Sequence, residues 1–274
     1  MSEAASVFKK MNVSEKPVFG MVHFLPLPDT PCYDSTAGVK AILDTALKDA
    51  EALARAGGDG FLFSNEGDRP YLSDVSKHTV AIMTRLIHDV ASRYDLPFGV
   101  SVLADPVAAL SVGAAVQASF VRMFLSWVYA SDWGIVDPDA GNLQRYRARL
   151  ADAPLVFANV SGHTEPLGNR SVKDITRGAI KFGLADAVCL AGTTAGSEIN
   201  VDDIQQAREG AEGTVPVMIG TGVGVENIEK MFPIGDGFIV GTSLKKGGDT
   251  FNPIDPERAK KFMEKVKALR GRHV

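Results

Sequence analysis

Val215-Pro-Val-Met-Ile219 runs straight into Gly220-Thr221-Gly222-Val223-Gly224, and Gly237-Phe-Ile-Val240 runs into Gly241-Thr242-Ser243-Leu244-Lys245-Lys246-Gly247-Gly248. Both are short apolar runs ending in a glycine-rich turn, with one short helical segment, Glu226–Met231, between them. Six more apolar, β-branched runs lie upstream: Val18–His23, Gly60–Ser64, Phe98–Leu103, Ser119–Met123, Leu155–Val160 and Ala187–Leu190. Each run is followed by a helix-compatible segment. The clearest are Ala37–Ala56, stopped by Gly57-Gly58, then Asp74–Arg93, and Asp255–Leu269, which opens in cap-then-proline order. Shorter ones span Pro106–Val116, Leu143–Leu150, Val172–Phe182 and Asp202–Glu209. Near-continuous apolar strands are those covered on both faces, as in a parallel sheet with crossover helices. Eight such units predict a closed (β/α)8 TIM barrel, because closure leaves no strand edge to protect. An open doubly wound sheet accounts less well for the last two turns. The expected layout is one α/β barrel domain over 17–274 behind a polar N-terminal segment, 1–16.

Composition agrees. The 274 residues are 45% apolar and 23% charged, which excludes disordered, collagen-like and small disulfide-stapled chains. The length suits a single barrel of about 250 residues. With 29 basic against 33 acidic residues, a net charge of -4 and no long run of either sign, nothing electrostatic invites a nucleic acid. Two distant cysteines, Cys32 and Cys189, fit a reduced, cytoplasmic protein. Residues 1–16 hold no apolar core of a secretion signal. The hydropathic stretch Pro106–Ala130 is interrupted by Gln117 and Arg122, so no transmembrane segment is expected.

In a barrel the loops after the seventh and eighth strands are neighbours. Glycine lets backbone approach a ligand closely, hydroxyls add donors, and the N–H groups at a helix start carry partial positive charge. Gly220, Thr221, Gly222, Gly241, Thr242 and Ser243 are therefore the expected cup for a phosphate, with Lys245 or Lys246 adding charge. One such loop alone would be read as a tight turn. Two on adjacent strands favour an anion site and a phosphorylated small-molecule substrate.

Barrel enzymes carry their reactive groups at the carboxyl ends of the strands. There stand His23, Asn65-Glu66, Asp105, Arg122, Asn159 and His163, and Thr193-Thr194. Glu66 and Asp105 form the expected acid/base pair, because a carboxyl desolvated at the mouth titrates closer to neutrality. Asp105-Pro106 also reads as a plain helix cap. Arg122, charged inside an apolar strand, needs an acceptor: a carboxylate in a structural ion pair, or a substrate anion. His23 is either a second proton carrier or a satisfied core histidine. Asn65 is expected as an electrostatic anchor, and Asn159 and Thr194 as substrate contacts.

The connection Phe124–Gly141 is long and holds both tryptophans, Trp127 and Trp133, with Tyr129 and Asp132. It is either a lid, with Asp132 supplying a proton or hydrogen bond and Tyr129 touching substrate, or a subunit contact in a homo-oligomer. No cofactor is implied. A divalent metal among His23, Glu66, Asp105 and His163 is the less favoured alternative, since no His-x-x-x-His or Cys-pair spacing supports it. No lysine ends the first seven strands to form a Schiff base, and G-x-S-x-G and a first-strand G-x-G-x-x-G are absent.

Several segments together resemble the BtpA/SgcQ family. They are Gly20-Met-Val-His23, Ser64-Asn-Glu66 with Pro70-Tyr71, Val102-Leu-Ala-Asp-Pro106, Tyr129-Ala-Ser-Asp132, Leu167-Gly-Asn-Arg170, Thr194-Ala-Gly196, Thr221-Gly-Val223 with Glu226-Asn227, and Thr242-Ser-Leu-Lys-Lys246. The Tyr-to-Asp and Ser-Asn-Glu runs are closer to its SgcQ-like branch. The resemblance implies a barrel of the ribulose-phosphate-binding type. It also implies either of two functions: an enzyme acting on a phosphorylated sugar or nucleoside-derived sugar phosphate by isomerase, epimerase or lyase chemistry, or a non-catalytic extrinsic membrane-complex assembly factor of the photosystem I kind. Many BtpA-like members carry Asn-Asp where this chain has Ala104-Asp105, and Asp where it has Asn159, so a carboxylate at the fifth strand does not carry over.

Overall fold

Strands form where the apolar runs predict them, and in the computed structural model, which describes residues 3–192 and 196–272, they close on themselves. The barrel strands are β1 (Val18–His23), β2 (Gly60–Ser64), β3 (Phe98–Ser101), β4 (Phe120–Phe124), β7 (Leu155–Asn159), β9 (Ala187–Leu190), β10 (Val217–Ile219) and β11 (Gly237–Val240). All eight pair in parallel, and β1 meets β11 to complete the ring. The helices are α2 (Gly38–Ala56), α3 (Lys77–Ala91), α4 (Pro106–Ala115), α5 (Ala140–Arg147), α6 (Val172–Lys181), α7 (Val201–Ala211), α8 (Ile228–Met231) and α9 (Pro256–Arg272). Six start at a side chain that satisfies an otherwise orphaned N–H: Ser76, Asp105, Asp139, Ser171, Asn200 and Asp255.

Alternation along the strands divides the core in two. Phe61, Phe63, Val100, Val121 and Val188 point outward into the layer shared with the helices. Phe19, Met21, Leu62, Phe120, Phe157, Cys189, Met218 and Ile239 fill the interior. There the Phe120 and Phe157 rings stack at 4.3 Å and Phe19 meets Phe120 edge-on at 4.8 Å. The segment 1–16, read from sequence as merely polar, carries a helix, α1 (Glu3–Lys10). Its Val7 and Phe8, with Met11 just beyond, are buried against this interior cluster and close the barrel's amino-terminal end.

Phe124–Gly141 has regular structure of its own. It folds into a hairpin of β5 (Tyr129–Ser131) and β6 (Gly134–Val136), and β8 (Glu165–Pro166) pairs with the free edge of β5. Among the described residues no helix is long and apolar enough to cross a membrane.

Candidate active site

The same alternation that fills the barrel with phenylalanine places polar side chains in its last interior layer. His23, Ser64 and Ser101 end β1, β2 and β3 in mutual register, and Arg122 on β4 and Asn159 at the end of β7 join them in lining the mouth. They open into a cavity of about 380 Å3 at the carboxyl ends of the strands, whose walls include Glu66, Tyr71, Trp133, His163, Thr221, Gly241 and Thr242.

Glu66 follows β2, and its carboxyl is 18% exposed. Ser64 Oγ donates to it at 3.4 Å and the Tyr71 hydroxyl lies 3.5 Å away. Burial raises its pKa above the ordinary carboxylate value, with Arg122 the largest opposing influence. His23 Nε2 lies 3.9 Å from Glu66 Oε2. Burial, and then the Lys245 charge, hold His23 down to about 3, so at neutral pH this contact is not an ion pair. His23 Nδ1 lies 3.2 Å from the Thr250 carbonyl oxygen. A carbonyl only accepts, so the proton sits on Nδ1 and Nε2 turns a lone pair toward Glu66. Across the cavity His163 Nε2 lies 3.0 Å from Thr221 Oγ1, and burial followed by Arg122 lowers its pKa to about 4.

Arg122 finds no carboxylate. Its Nε donates to Asn159 Oδ1 at 2.8 Å, and among the described residues it forms no ion pair. This replaces the expected structural ion pair with a neutral amide partner.

The two glycine-rich turns meet, as expected, on one side of the cavity, through Thr221, Gly241 and Thr242. Gly222 adopts φ +95°, and a Cβ there would come 1.9 Å from the Ser197 carbonyl oxygen, so only glycine fits. Asn227 braces this turn, accepting from Gly224 N–H and donating to the Gly222 carbonyl. Thr242–Leu244 form a 3-10 turn whose first intrahelical bond runs from Leu244 N–H to Gly241 O, so the Thr242 and Ser243 N–H groups precede the ladder. Gly220 and Ser243 stand behind the cavity wall. The Ser243 hydroxyl is spent on the Val223 carbonyl at 2.6 Å.

Other expected residues are placed elsewhere. Asp105 is the cap of α4: one oxygen accepts from Ala108 N–H and the other from Val75 N–H, both at 2.9 Å. It borders a separate flank cleft of about 430 Å3 and does not join Glu66. Asn65 is buried, bonding Asp68 and the Leu103 N–H, and so ties the ends of β2 and β3 together. Tyr129 is fully buried with its hydroxyl toward the Asn159 carbonyl, so it supports the wall from behind. Asp132 and Trp133, at the hairpin tip, do reach the cavity, and Trp133 packs edge-on against Tyr71 at 5.1 Å. Thr194 lies outside the described residues. Lys245 points away from the cup into a buried pair with Asp49.

Among the described residues no three His, Cys, Asp or Glu side chains are grouped to hold a metal ion. Sequence reasoning does not single out Ser64, Ser101, Arg69, Thr250 or Phe251, all of which border the cavity. The two serines were findable, being inward positions at strand ends; Thr250 and Phe251 arrive only because the chain doubles back after the eighth loop.

The sequence model of the BtpA family matches residues 14–268. The chain is 36% identical over 267 residues to the putative sgc region protein SgcQ of Escherichia coli, covering 97% of this chain and 99% of that one. It is 34% identical over 255 residues to the photosystem I biogenesis protein BtpA of Synechocystis, covering 92% and 88%. Among solved structures, phosphoribosyl anthranilate isomerase of Thermus thermophilus matches with a TM-score of 0.59 at 9% identity, over 93% of this chain and all of that one. At that identity the likeness speaks for the barrel fold alone.

Proposed function

The chain belongs to the BtpA family, and from that premise and the chemistry of the mouth we propose that it is an enzyme for a phosphorylated sugar or nucleoside-derived sugar phosphate, working by proton transfer of isomerase, epimerase or lyase type. One observation carries this reading: a largely buried carboxyl of raised pKa, Glu66, faces the neutral lone pair of His23 in the same cavity that the two glycine-rich turns border. Glu66 moves a proton at the carbon beside a carbonyl or anomeric centre, and His23 Nε2 is the second proton carrier. Arg122 stabilises oxygen charge that develops between them. Thr221, Gly241 and Thr242, with the N–H groups at the start of the 3-10 turn, hold the phosphate, and charge-assisted hydrogen bonds of this kind contribute about 1.5–3 kcal/mol each. Asp105 has no part in the chemistry.

The test is titration calorimetry against pentose and hexose phosphates, followed by turnover assays. Glu66→Gln is expected to keep binding and lose about 10²–10⁴-fold in kcat. Full activity in that variant removes Glu66 from the mechanism. The relative named for photosystem I biogenesis supports a second reading, a barrel retained as an assembly factor. On that reading no sugar phosphate binds.

A further inference from the structure

Arg122 is 9% exposed, and a buried cation without a counter-charge is among the least favourable arrangements in a protein interior. Among the described residues the cavity supplies no carboxylate at ion-pairing distance, only the longer-range influence of Glu66. Glu66 and Asp132 border it, yet neither lies within 4.0 Å of the guanidinium. His23 and His163 are neutral at physiological pH. The other buried cation nearby, Lys245, has its own partner in Asp49, 2.8 Å away.

The guanidinium is also aimed. Asn159 Oδ1 holds Nε at 2.8 Å, which fixes the plane of the fork and leaves the Nη1/Nη2 edge for another acceptor. That edge reaches across the floor of the mouth from β4 toward the end of β10. A Cβ on Gly220, behind the wall, would stand 3.6 Å from Nη2, which places that nitrogen beside the turn that follows β10. An Nη1/Nη2 edge matches the two coplanar oxygens of a carboxylate in a bidentate pair.

We propose that the substrate carries a carboxylate in addition to its phosphate, seated on the free edge of Arg122 at the reacting end of the molecule. The substrate class is then a phosphorylated sugar acid, one anion on the glycine-rich turns and the other on β4. The assignment rests on the sugar-phosphate reading above, and the experiment separates the two.

Calorimetric affinities are measured on the wild-type chain for matched pairs: glucose 6-phosphate against 6-phosphogluconate, and ribose 5-phosphate against 5-phosphoribonate. The acid of at least one pair is expected to bind about tenfold or more tightly than its neutral partner. Arg122→Gln is expected to erase that ratio while retaining the phosphate-borne part of the affinity, and Arg122→Lys to keep a fraction of it. Because the wild-type ratio needs no variant, a misfolded Arg122→Gln does not remove the test. Equal affinities within both pairs overturn the carboxylate seat and leave the phosphate reading standing. Failure of all four ligands to bind overturns both.

Discussion

Replacing Lys245 with methionine removes half of a buried ion pair that fastens the loop after the last barrel strand to α2. Lys245 Nζ lies 2.8 Å from Asp49 Oδ2, with the two side chains 1% and 2% exposed. Asp49 Oδ1 accepts the Ile254 N–H at 2.8 Å. Methionine preserves the apolar stem but leaves the buried carboxylate with the Ile254 N–H as its remaining donor among the described residues. Removing one member of such a pair costs about 3–5 kcal/mol. Unfolding entropy of about 2.1 cal/mol/K per residue amounts to roughly 0.6 kcal/mol/K for this chain, so the melting temperature is expected to fall by roughly 5–9 °C. The double replacement Asp49→Leu with Lys245→Met is expected to recover most of that loss, since apolar substitutes for a buried pair are often neutral or better. It falls short by about 1 kcal/mol, because the Ile254 N–H loses its acceptor. Scanning calorimetry reads both variants. A single variant within about 2 °C of wild type, or a double variant no better than the single, would refute the argument that a desolvated pair governs this loop.

Other consequences are as direct. Gly241→Val places its Cβ 3.1 Å from Met21 Cγ and 3.4 Å from His23 Cε1; it is expected to lose phosphate-ester binding by titration. Gly222→Ala, forced against the Ser197 carbonyl at positive φ, is expected to lose about 1–3 kcal/mol in urea unfolding as well. His163 is held down to about 4 from 6.5, so its contribution to stability is present above pH 6.5 and is lost as pH falls toward 4. At pH 5 the loss is on the order of 2 kcal/mol, and His163→Gln is expected to show a flatter decline in melting temperature between pH 7 and 5. Trp133 borders the cavity whereas Trp127 packs under Arg170 at 4.3 Å, so ligand-induced fluorescence change is expected to vanish in Trp133→Phe and persist in Trp127→Phe.

Four strands, Val18–His23, Gly60–Ser64, Ala187–Leu190 and Gly237–Val240, have the bounds that the apolar runs alone indicate, and the remaining four differ by one or two residues at one or both ends. Such runs are legible because strand formation and burial on two faces are local properties of consecutive side chains. The glycine-rich turns were legible for the same reason: positive φ and close approach are requirements written at the residue itself. Partnership is a different matter. Asp105 and Glu66 follow neighbouring strands and look alike in sequence, yet one is saturated by two backbone N–H groups and the other faces the cavity. Lys245 sits in a loop that reads as phosphate-binding, but its partner Asp49 lies 196 positions away. The amphipathic helix α1 reads as a polar leader until the barrel floor is there to receive Val7 and Phe8. Sequence by itself determined the strands, the order of the units and the two turns, all set by neighbours along the chain. Only the closed barrel decided which charges meet, which are capped and which stay uncompensated, because those energies depend on distances across the fold and on how much water each group has lost.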